Sequence, residues 1–257
     1  LSALLTKNHS FTDSFNFERT IPIMTQEHKN AVAVIVAGGQ GLRMQNAIPK
    51  QFLPLNGKPI LYYTIAAFLE AIPNIQLILV LPEAHFSYAN MVLQHFEQIP
   101  ELQIVGGGNT RYESVQNGLE LIEDTDSITL VHDGVRPLIS PTLINDCIET
   151  ADQNGNAIPC IPVIDSIRSI TDDGSMIIDR SPLRSIQTPQ AFKTVDILEA
   201  FAQPFNEQFT DEASVVATLG HHIHLISGDR NNIKITTPED LIIAQAILQN
   251  QINDINA

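Results

Sequence analysis

Positive charge is what this chain has least of. Its 257 residues carry 14 Lys and Arg against 29 Asp and Glu, a formal net charge of −15. That balance argues against a nucleic-acid partner, which needs a basic face to displace counterions. Cysteine is scarce as well. Cys147 and Cys160 stand outside any metal-ligand spacing, each in an apolar-leaning segment, and read as buried thiols in a reducing cytoplasm. No apolar run reaches the roughly 18 residues of a membrane span. The first 29 residues have no sustained period and no apolar block of the secretory type. A flexible leader over 1–29 and one domain over 30–257 are therefore expected.

What is present fits a folded protein, since 44% hydrophobic and 17% charged residues argue against disorder. Residues 31–37, AVAVIVA, form an apolar run that stops at Gly38-Gly39, the pattern of a strand buried on both faces. Apolar spacing predicts a helix over 60–71, a strand over 75–81, a helix over 84–97 and a strand over 102–108. A helix over 110–122 follows, with Thr110 and Glu113 placed as a capping box, then a strand over 127–134 and a helix over 141–152. This alternation predicts an α/β fold with a parallel, doubly wound sheet.

After residue 156 the rhythm changes. Extended alternation, two prolines and an Asp172-Asp173-Gly174 turn predict a β-arm near 163–181 projecting from the sheet. Helices are expected again over 194–203 and 211–219, with short strands at HIHLIS (222–227) and NIKIT (232–236). The last helix opens on Thr237-Pro238-Glu239-Asp240: a cap, a first-turn proline and two acids at the positive end of the dipole.

Against the acidic background the few cations are informative. Arg43, Lys50, Arg111, Arg136, Arg168, Arg180, Arg184, Arg230 and Lys234 all fall in or beside glycine-rich and loop segments, which points to a local anion site. The turn GGQGLRM (38–44) is not a dinucleotide fingerprint, because Met44 stands where the third glycine belongs, and it lacks the Gly-Lys-Ser/Thr of a P-loop. A strand, a glycine turn, Arg43 and Lys50 suit backbone amides wrapped around a triphosphate, with two cations on its charge. In HDGVRP (132–137) Asp133 ends a strand, where open α/β sheets place their chemistry. One carboxylate beside a triphosphate suits Mg²⁺, which takes few protein ligands and shares phosphate oxygens. Asp133 is otherwise a loop acid capping the next helix; Arg136 stands where it can clamp a second phosphate, and His132 reads as a structural, hydrogen-bonded histidine. GGGNTRYES (106–114) is a second glycine turn feeding a helix N-terminus, favourable to anions or base edges. Thr210 and Lys234 have two readings each: site residues, or a helix cap and a solvated charge.

Taken in order, VAGGQGLRM…PKQF, GGGNTRYESV, HDGVRP, QTPQAF, FTDEASV and NNIKITTPEDL resemble the 2-C-methyl-D-erythritol 4-phosphate cytidylyltransferase family over about residues 31–248. The resemblance implies a Rossmann-like nucleotidyltransferase fold, an extended β-arm embracing a second subunit, and a cytoplasmic homodimer. It places Ala37, Gly38, Gly39, Arg43 and Lys50 around the triphosphate of CTP, with Gly134 also in the nucleotide set. Gly107, Gly108, Asn109 and Ser114 would hold cytosine and ribose, and Asp133 would bind Mg²⁺. Arg136, Thr210 and Lys234 would face a polyol phosphate, while Ser166 and Arg180 on the arm would reach the neighbouring subunit's site. Arg43, Lys50 and Lys234 would be catalytic. Departures are Gly134-Val135, where the family often has two alanines; Ser166 for a threonine; and SPLRSI before QTPQ, which leaves Arg184 without a role.

The expected reaction is in-line attack of the acceptor's phosphate oxygen on the α-phosphorus of CTP, with release of pyrophosphate. A phosphate monoester is ionised near neutral pH, so catalysis reduces to bringing two anions together. Three alternatives stand beside it: a ribitol 5-phosphate cytidylyltransferase, a sugar-nucleotide-dependent glycosyltransferase, and a nucleotide-binding regulatory or scaffold protein on the same fold. The glycosyltransferase would want a second metal acid near Asp133, where position 135 is Val.

Overall fold

The structure, a computed structural model, describes residues 30–39, 48–98 and 101–255. Strand β1 (Ala31–Val36) is the expected apolar run and is almost wholly buried. A 3₁₀ turn, Lys50–Phe52, leads into a small hairpin of β2 (Pro54–Leu55) and β3 (Lys58–Pro59). Its turn residues Asn56 and Gly57 have φ of 47° and 83°, the left-handed pair that Asn-Gly supplies most readily. Then come α1 (Ile60–Ala71), β4 (Gln76–Leu81), α2 (Phe86–Leu93), β5 (Glu101–Gly106), α3 (Arg111–Leu119), β6 (Ile128–Asp133) and α4 (Pro141–Asn154). Helix α2 is shorter than its spacing predicts, because the chain turns back after Leu93 to stack Phe96 on Tyr62 of α1, with centroids 4.6 Å apart.

The second half begins with β7 (Asn156–Pro162). The arm follows as an antiparallel pair, β8 (Ile167–Thr171) and β9 (Gly174–Ile178), within the segment where it is expected. Next are β10 (Arg184–Ile186), β11 (Gln190–Lys193), α5 (Thr194–Phe201), α6 (Glu212–Ala217), β12 (Leu225–Ser227) and α7 (Pro238–Ile255). NIKIT is not a strand. Its backbone groups are taken elsewhere: the Ile235 N–H donates to Val135 O, Lys50 Nζ donates to Ile235 O, and Arg136 Nη1 donates to Asn232 O.

The main sheet has eight strands in the order β10-β7-β11-β6-β1-β4-β5, with β12 against β7. β5, β4, β1 and β6 are parallel, whereas β10 and β11 run antiparallel to their neighbours. The fold is thus the mostly parallel α/β architecture that was anticipated, with an antiparallel insertion in its second half. From β1 the chain steps to β4 and β5 on one side, then returns to β6 on the other. The sheet therefore changes direction between β1 and β6, where Val36 pairs with Asp133, and such a switch point leaves a crevice at the strand ends.

Helices cover both faces. One core layer gathers Leu61, Ile65 and Phe68 of α1 with Leu143, Ile144 and Ile148 of α4. The other gathers Tyr112, Val115 and Leu119 of α3 with α5 and α6. Each fully buried large side chain contributes about 1.5–3 kcal/mol. Helix α3 approaches β1 and β4 closely at Gly118, where an added Cβ would fall 2.6 Å from Val34 Cγ1 and 2.8 Å from Val80 Cγ2. That close seat sets where the N-terminus of α3 meets the crevice. Ala244 of α7 packs with Leu53, Leu55, Val135 and Ile235 in a third cluster, which anchors the Lys234 segment against the tip of β6.

Candidate functional site

The crevice at the β1 and β6 tips is a pocket with three walls. Ala37, Gly38 and Gly39 leave the end of β1, and Lys50 and Gln51 come from the 3₁₀ turn. Gly107, Gly108, Asn109 and Ser114 come from the turn before α3 and its first turn. Asp133 and Lys234 close the third side. Arg43 lies outside the described residues. Ten of the residues singled out in the sequence thus share one pocket, although they span 198 positions from Ala37 to Lys234 counted inclusively.

Asp133 is its electrostatic centre. Lys234 Nζ lies 2.9 Å from Oδ2, Arg136 Nε 3.5 Å from Oδ2, and Arg111 Nη2 3.4 Å from Oδ1. Burial alone would favour the neutral acid, but Arg111, Lys234 and Arg136 together hold this carboxyl well below the usual range, so it is ionised. Its backbone N–H donates to Thr188 Oγ1 at 3.1 Å, and the same hydroxyl meets His132 Nδ1 at 3.1 Å. His132 is structural, as its sequence position suggests. It is buried, its Nε2 meets Arg136 O at 3.2 Å, and burial lowers its pKa to about 4 despite the Asp133 charge beside it.

Lys50 lies beside this cluster and lines the same pocket. Its Nζ donates to Ile235 O at 3.1 Å, next to Lys234, and its Cε lies 3.5 Å from where a side chain on Gly39 would begin. Gln51, which the sequence reading passed over, donates from Nε2 to Ala37 O at 2.6 Å, while its buried Oε1 has no hydrogen-bond partner among the described residues. Its signal was its place directly after Lys50 in the turn.

At the α3 wall, Thr110 caps the helix, its Oγ1 accepting from Glu113 N at 3.0 Å. The return half of the expected box is displaced by one residue: Glu113 Oε2 accepts from Asn109 N, not from Thr110 N. Gly108 N donates to Ser114 Oγ at 3.1 Å and Gly107 N to Leu81 O at 3.1 Å. The backbone N–H groups of this turn are therefore committed inside the protein, and what it can present to a ligand is its carbonyls and the side-chain amide of Asn109.

Other sequence candidates lie around the pocket without lining it. Gly134 is buried behind Ala37, its N–H donating to Val36 O at 2.9 Å. Arg136 lies beneath Asp133 and donates from Nη1 to Asn232 O at 2.8 Å. Thr210 is exposed and shares a separate small cleft with Arg111 and Glu212. The cap of α6 is Asp211, in a capping box with Ser214. Ser166 and Arg180 are exposed at the base of the arm, where Arg180 Nη1 donates to Ile164 O; neither lines the pocket of its own chain. Arg111, one of the cations that mark an anion site in the sequence, lines the pocket, whereas Glu212, which holds it from 101 positions away, has no role in the sequence motifs. An acid in the first turn of α6 is legible as helix chemistry, not as the partner of a distant arginine.

Among the described residues, no group of three or more His, Cys, Asp and Glu is placed to hold a metal ion. Asp133 is the one described acid lining the pocket. Its Oδ1 has a contact too long to be a strong charge-assisted hydrogen bond, which leaves that oxygen available to a cation. This donor set fits Mg²⁺ held by one carboxylate, with substrate phosphates and water as the other ligands.

Comparison with known proteins agrees with this geometry. A family model described as 2-C-methyl-D-erythritol 4-phosphate cytidylyltransferase matches residues 31–250. The enzyme of that name from Bacteroides thetaiotaomicron is 43% identical over 215 residues, covering 84% of this chain and 98% of the relative. The one from Phocaeicola vulgatus is 42% identical over 219 residues, covering 85% and 100%. Among solved structures, the 4-diphosphocytidyl-2C-methyl-D-erythritol synthase of Anaerococcus prevotii superposes with a TM-score of 0.74 at 28% identity, covering 87% of this chain and 97% of the other. The 2-C-methyl-D-erythritol 4-phosphate cytidylyltransferase of Thermus thermophilus superposes with a TM-score of 0.66 at 29% identity, covering 84% and 98%.

Proposed function

The chain belongs to the 2-C-methyl-D-erythritol 4-phosphate cytidylyltransferase family, and from that premise we propose how its strand-tip pocket carries the reaction. It is a nucleotidyltransferase that moves CMP from CTP onto 2-C-methyl-D-erythritol 4-phosphate and releases pyrophosphate. The observation that carries the placement is the convergence of Arg111, Arg136 and Lys234 on one ionised Asp133 at the β1/β6 switch point, with Lys50 beside them.

The triphosphate lies along Ala37, Gly38 and Gly39, with Lys50 on its charge; Arg43 joins them on the strength of its place in the sequence motif. The cytosine faces the Gly107–Asn109 turn and Ser114. With the backbone N–H groups of that turn already committed, its carbonyl acceptors suit the 4-amino group of cytosine. Asp133 would hold Mg²⁺ together with the substrate, and the ion would supply charge neutralisation for the triphosphate. Lys234, with its side chain 41% exposed beside Asp133, has the reach to meet the acceptor phosphate, while Arg136 braces Asp133 from below.

No general base is needed, because the attacking oxygen is already ionised. The residues hold two anions in line and screen their repulsion. Lys50, a preorganised donor, contributes roughly 3–4 kcal/mol to the transition state. The β8–β9 arm embraces a second subunit and delivers Ser166 and Arg180 to that subunit's pocket. Two buried free thiols fit a reducing cytoplasm, and no described helix is long and apolar enough to cross a membrane.

The test is a pyrophosphate-release assay with CTP, Mg²⁺ and one polyol phosphate at a time. Turnover is expected with 2-C-methyl-D-erythritol 4-phosphate and little with ribitol 5-phosphate. Preference for ribitol 5-phosphate would reassign the acceptor, and absence of release with either would overturn the reading.

A further inference from the structure

A buried carboxylate is costly unless paired, and Glu212, the first residue of α6, is 1% exposed. Its partner is Arg111, the first residue of α3. Both carboxylate oxygens are engaged: Oε1 meets Nη1, and Oε2 meets Nη2 at 3.2 Å. This is the two-pronged geometry in which a guanidinium is most firmly oriented.

The position of Glu212 is fixed from both sides by one residue. Gln190, buried on β11, donates from Nε2 to Asp211 Oδ2 at 2.9 Å and accepts from Ala213 N at 2.8 Å. The same Arg111 Nη2 that meets Glu212 also points at Asp133 Oδ1 from 3.4 Å. Arg111 thus bridges two carboxylates, with a two-pronged grip on Glu212 outside the pocket and one long contact with Asp133 inside it.

We infer that Glu212 is a positioning residue that limits Arg111 to a single long contact with Asp133 Oδ1, weak enough for the metal–triphosphate to displace. The inference rests on the reading of Asp133 as the metal carboxylate. Without the Glu212 charge, the nearest anion to the Arg111 fork is Asp133. The guanidinium would turn onto it, close both donors on the carboxylate, and convert a metal ligand into an internal ion pair. A purely structural Glu212–Arg111 pair would affect stability and leave the metal's contribution to nucleotide binding unchanged.

The experiment uses the full chain and calorimetry of CTP binding in Mg²⁺ and in EDTA. The ratio of the two dissociation constants reports the metal's contact with the protein, without turnover. Glu212→Gln is expected to lower that ratio on the order of 10–100-fold, as loss of an outer partner of a metal ligand does. Adding Arg111→Gln to Glu212→Gln removes the intruding guanidinium and is expected to bring the ratio back toward wild type, although overall CTP affinity falls. An unchanged ratio in Glu212→Gln, or no recovery in the double variant, would overturn the inference. Should Glu212→Gln fail to fold, Glu212→Asp carries the test: its carboxylate is retained but withdrawn from the Arg111 fork by one methylene, so the ratio is expected to fall in the same direction, and an unchanged ratio would overturn the inference. Asp133→Asn separates the two layers. If it keeps the wild-type ratio, the metal reading of Asp133 falls and takes the inference with it. If it loses the ratio while Glu212→Gln does not, the inference alone falls.

Discussion

The strand-tip pocket and the β8–β9 arm are built on opposite terms. At the pocket, polar groups from five separate stretches of chain fix one another: Thr188 holds the Asp133 amide, Asn232 holds Arg136 and Thr188, Gln51 holds Ala37, and Lys50 holds Ile235. Its geometry is over-determined inside a single chain, as pre-organised anion handling requires. In the arm, β8 and β9 pair with each other, while Ile170, Met176 and Ile177 are 82%, 59% and 77% exposed. A lone two-stranded hairpin is marginal in water, and Ile170 and Ile177, diagonal neighbours on one face with Met176 on the other, give it an apolar surface open to cover. The polar frame of the pocket is closed within one chain, whereas the apolar face of the arm is left uncovered within it.

The largest expected effect falls on the pocket. Lys50→Ala should lower kcat by a factor on the order of 10²–10³, with a smaller change in CTP affinity, measured by pyrophosphate release and calorimetry. Near-wild-type turnover would remove Lys50 from the transition state and weaken the contrast at its strongest point.

The arm should respond in assembly rather than in fold. Ile170→Asp with Ile177→Asp is expected to shift the protein from dimer to monomer in sedimentation and to lower turnover, because Ser166 and Arg180 then have no neighbouring pocket to reach. Stability of the monomer fold should move by no more than about 0.5 kcal/mol, as for exposed positions generally. A dimer that survives both charges would show that the apolar arm is not the seam.

A middle-sized effect tests the supports beneath the site. Thr188→Val removes the acceptor for the buried Asp133 amide and the partner of His132, and should cost about 1–3 kcal/mol in denaturant unfolding. A loss below that range would mean that the tip of β6 is held by its ladder alone. Smallest of all is Arg184→Ala. Its Nη1 donates to the carbonyls of Ser181 and Leu183 in its own exposed turn, so both stability (within about 0.5 kcal/mol) and nucleotide affinity should stay at wild type.

The parts of the molecule legible in the sequence are those governed by local periodicity. The 31–36 run, the 60–71 helix and the arm's Asp172-Asp173-Gly174 turn each follow from spacing that a single element dictates. NIKIT looked like a strand because it alternates, yet its carbonyls and amides are claimed by Lys50, Arg136 and Val135, partners that no local pattern reveals. The antiparallel β11 was likewise hidden inside QTPQAF: its insertion between β6 and β7 depends on long-range pairing. The same division runs through the site. Asp133, Lys50 and Arg111 announce themselves beside glycine turns, whereas the buried Glu212 meets Arg111 because α3 and α6 are packed together from distant parts of the chain.

The central claim is that the acid-poor, glycine-lined tip of β1 and β6 receives the triphosphate between Lys50 and Asp133. A crystal structure of the protein with CTP and Mg²⁺ tests it most directly. The account predicts phosphate oxygens against Ala37–Gly39 and Lys50, with the cation on Asp133. A nucleotide seated elsewhere, for instance in the cleft of Phe52, Tyr88 and Met91, with the strand tips empty, would contradict it.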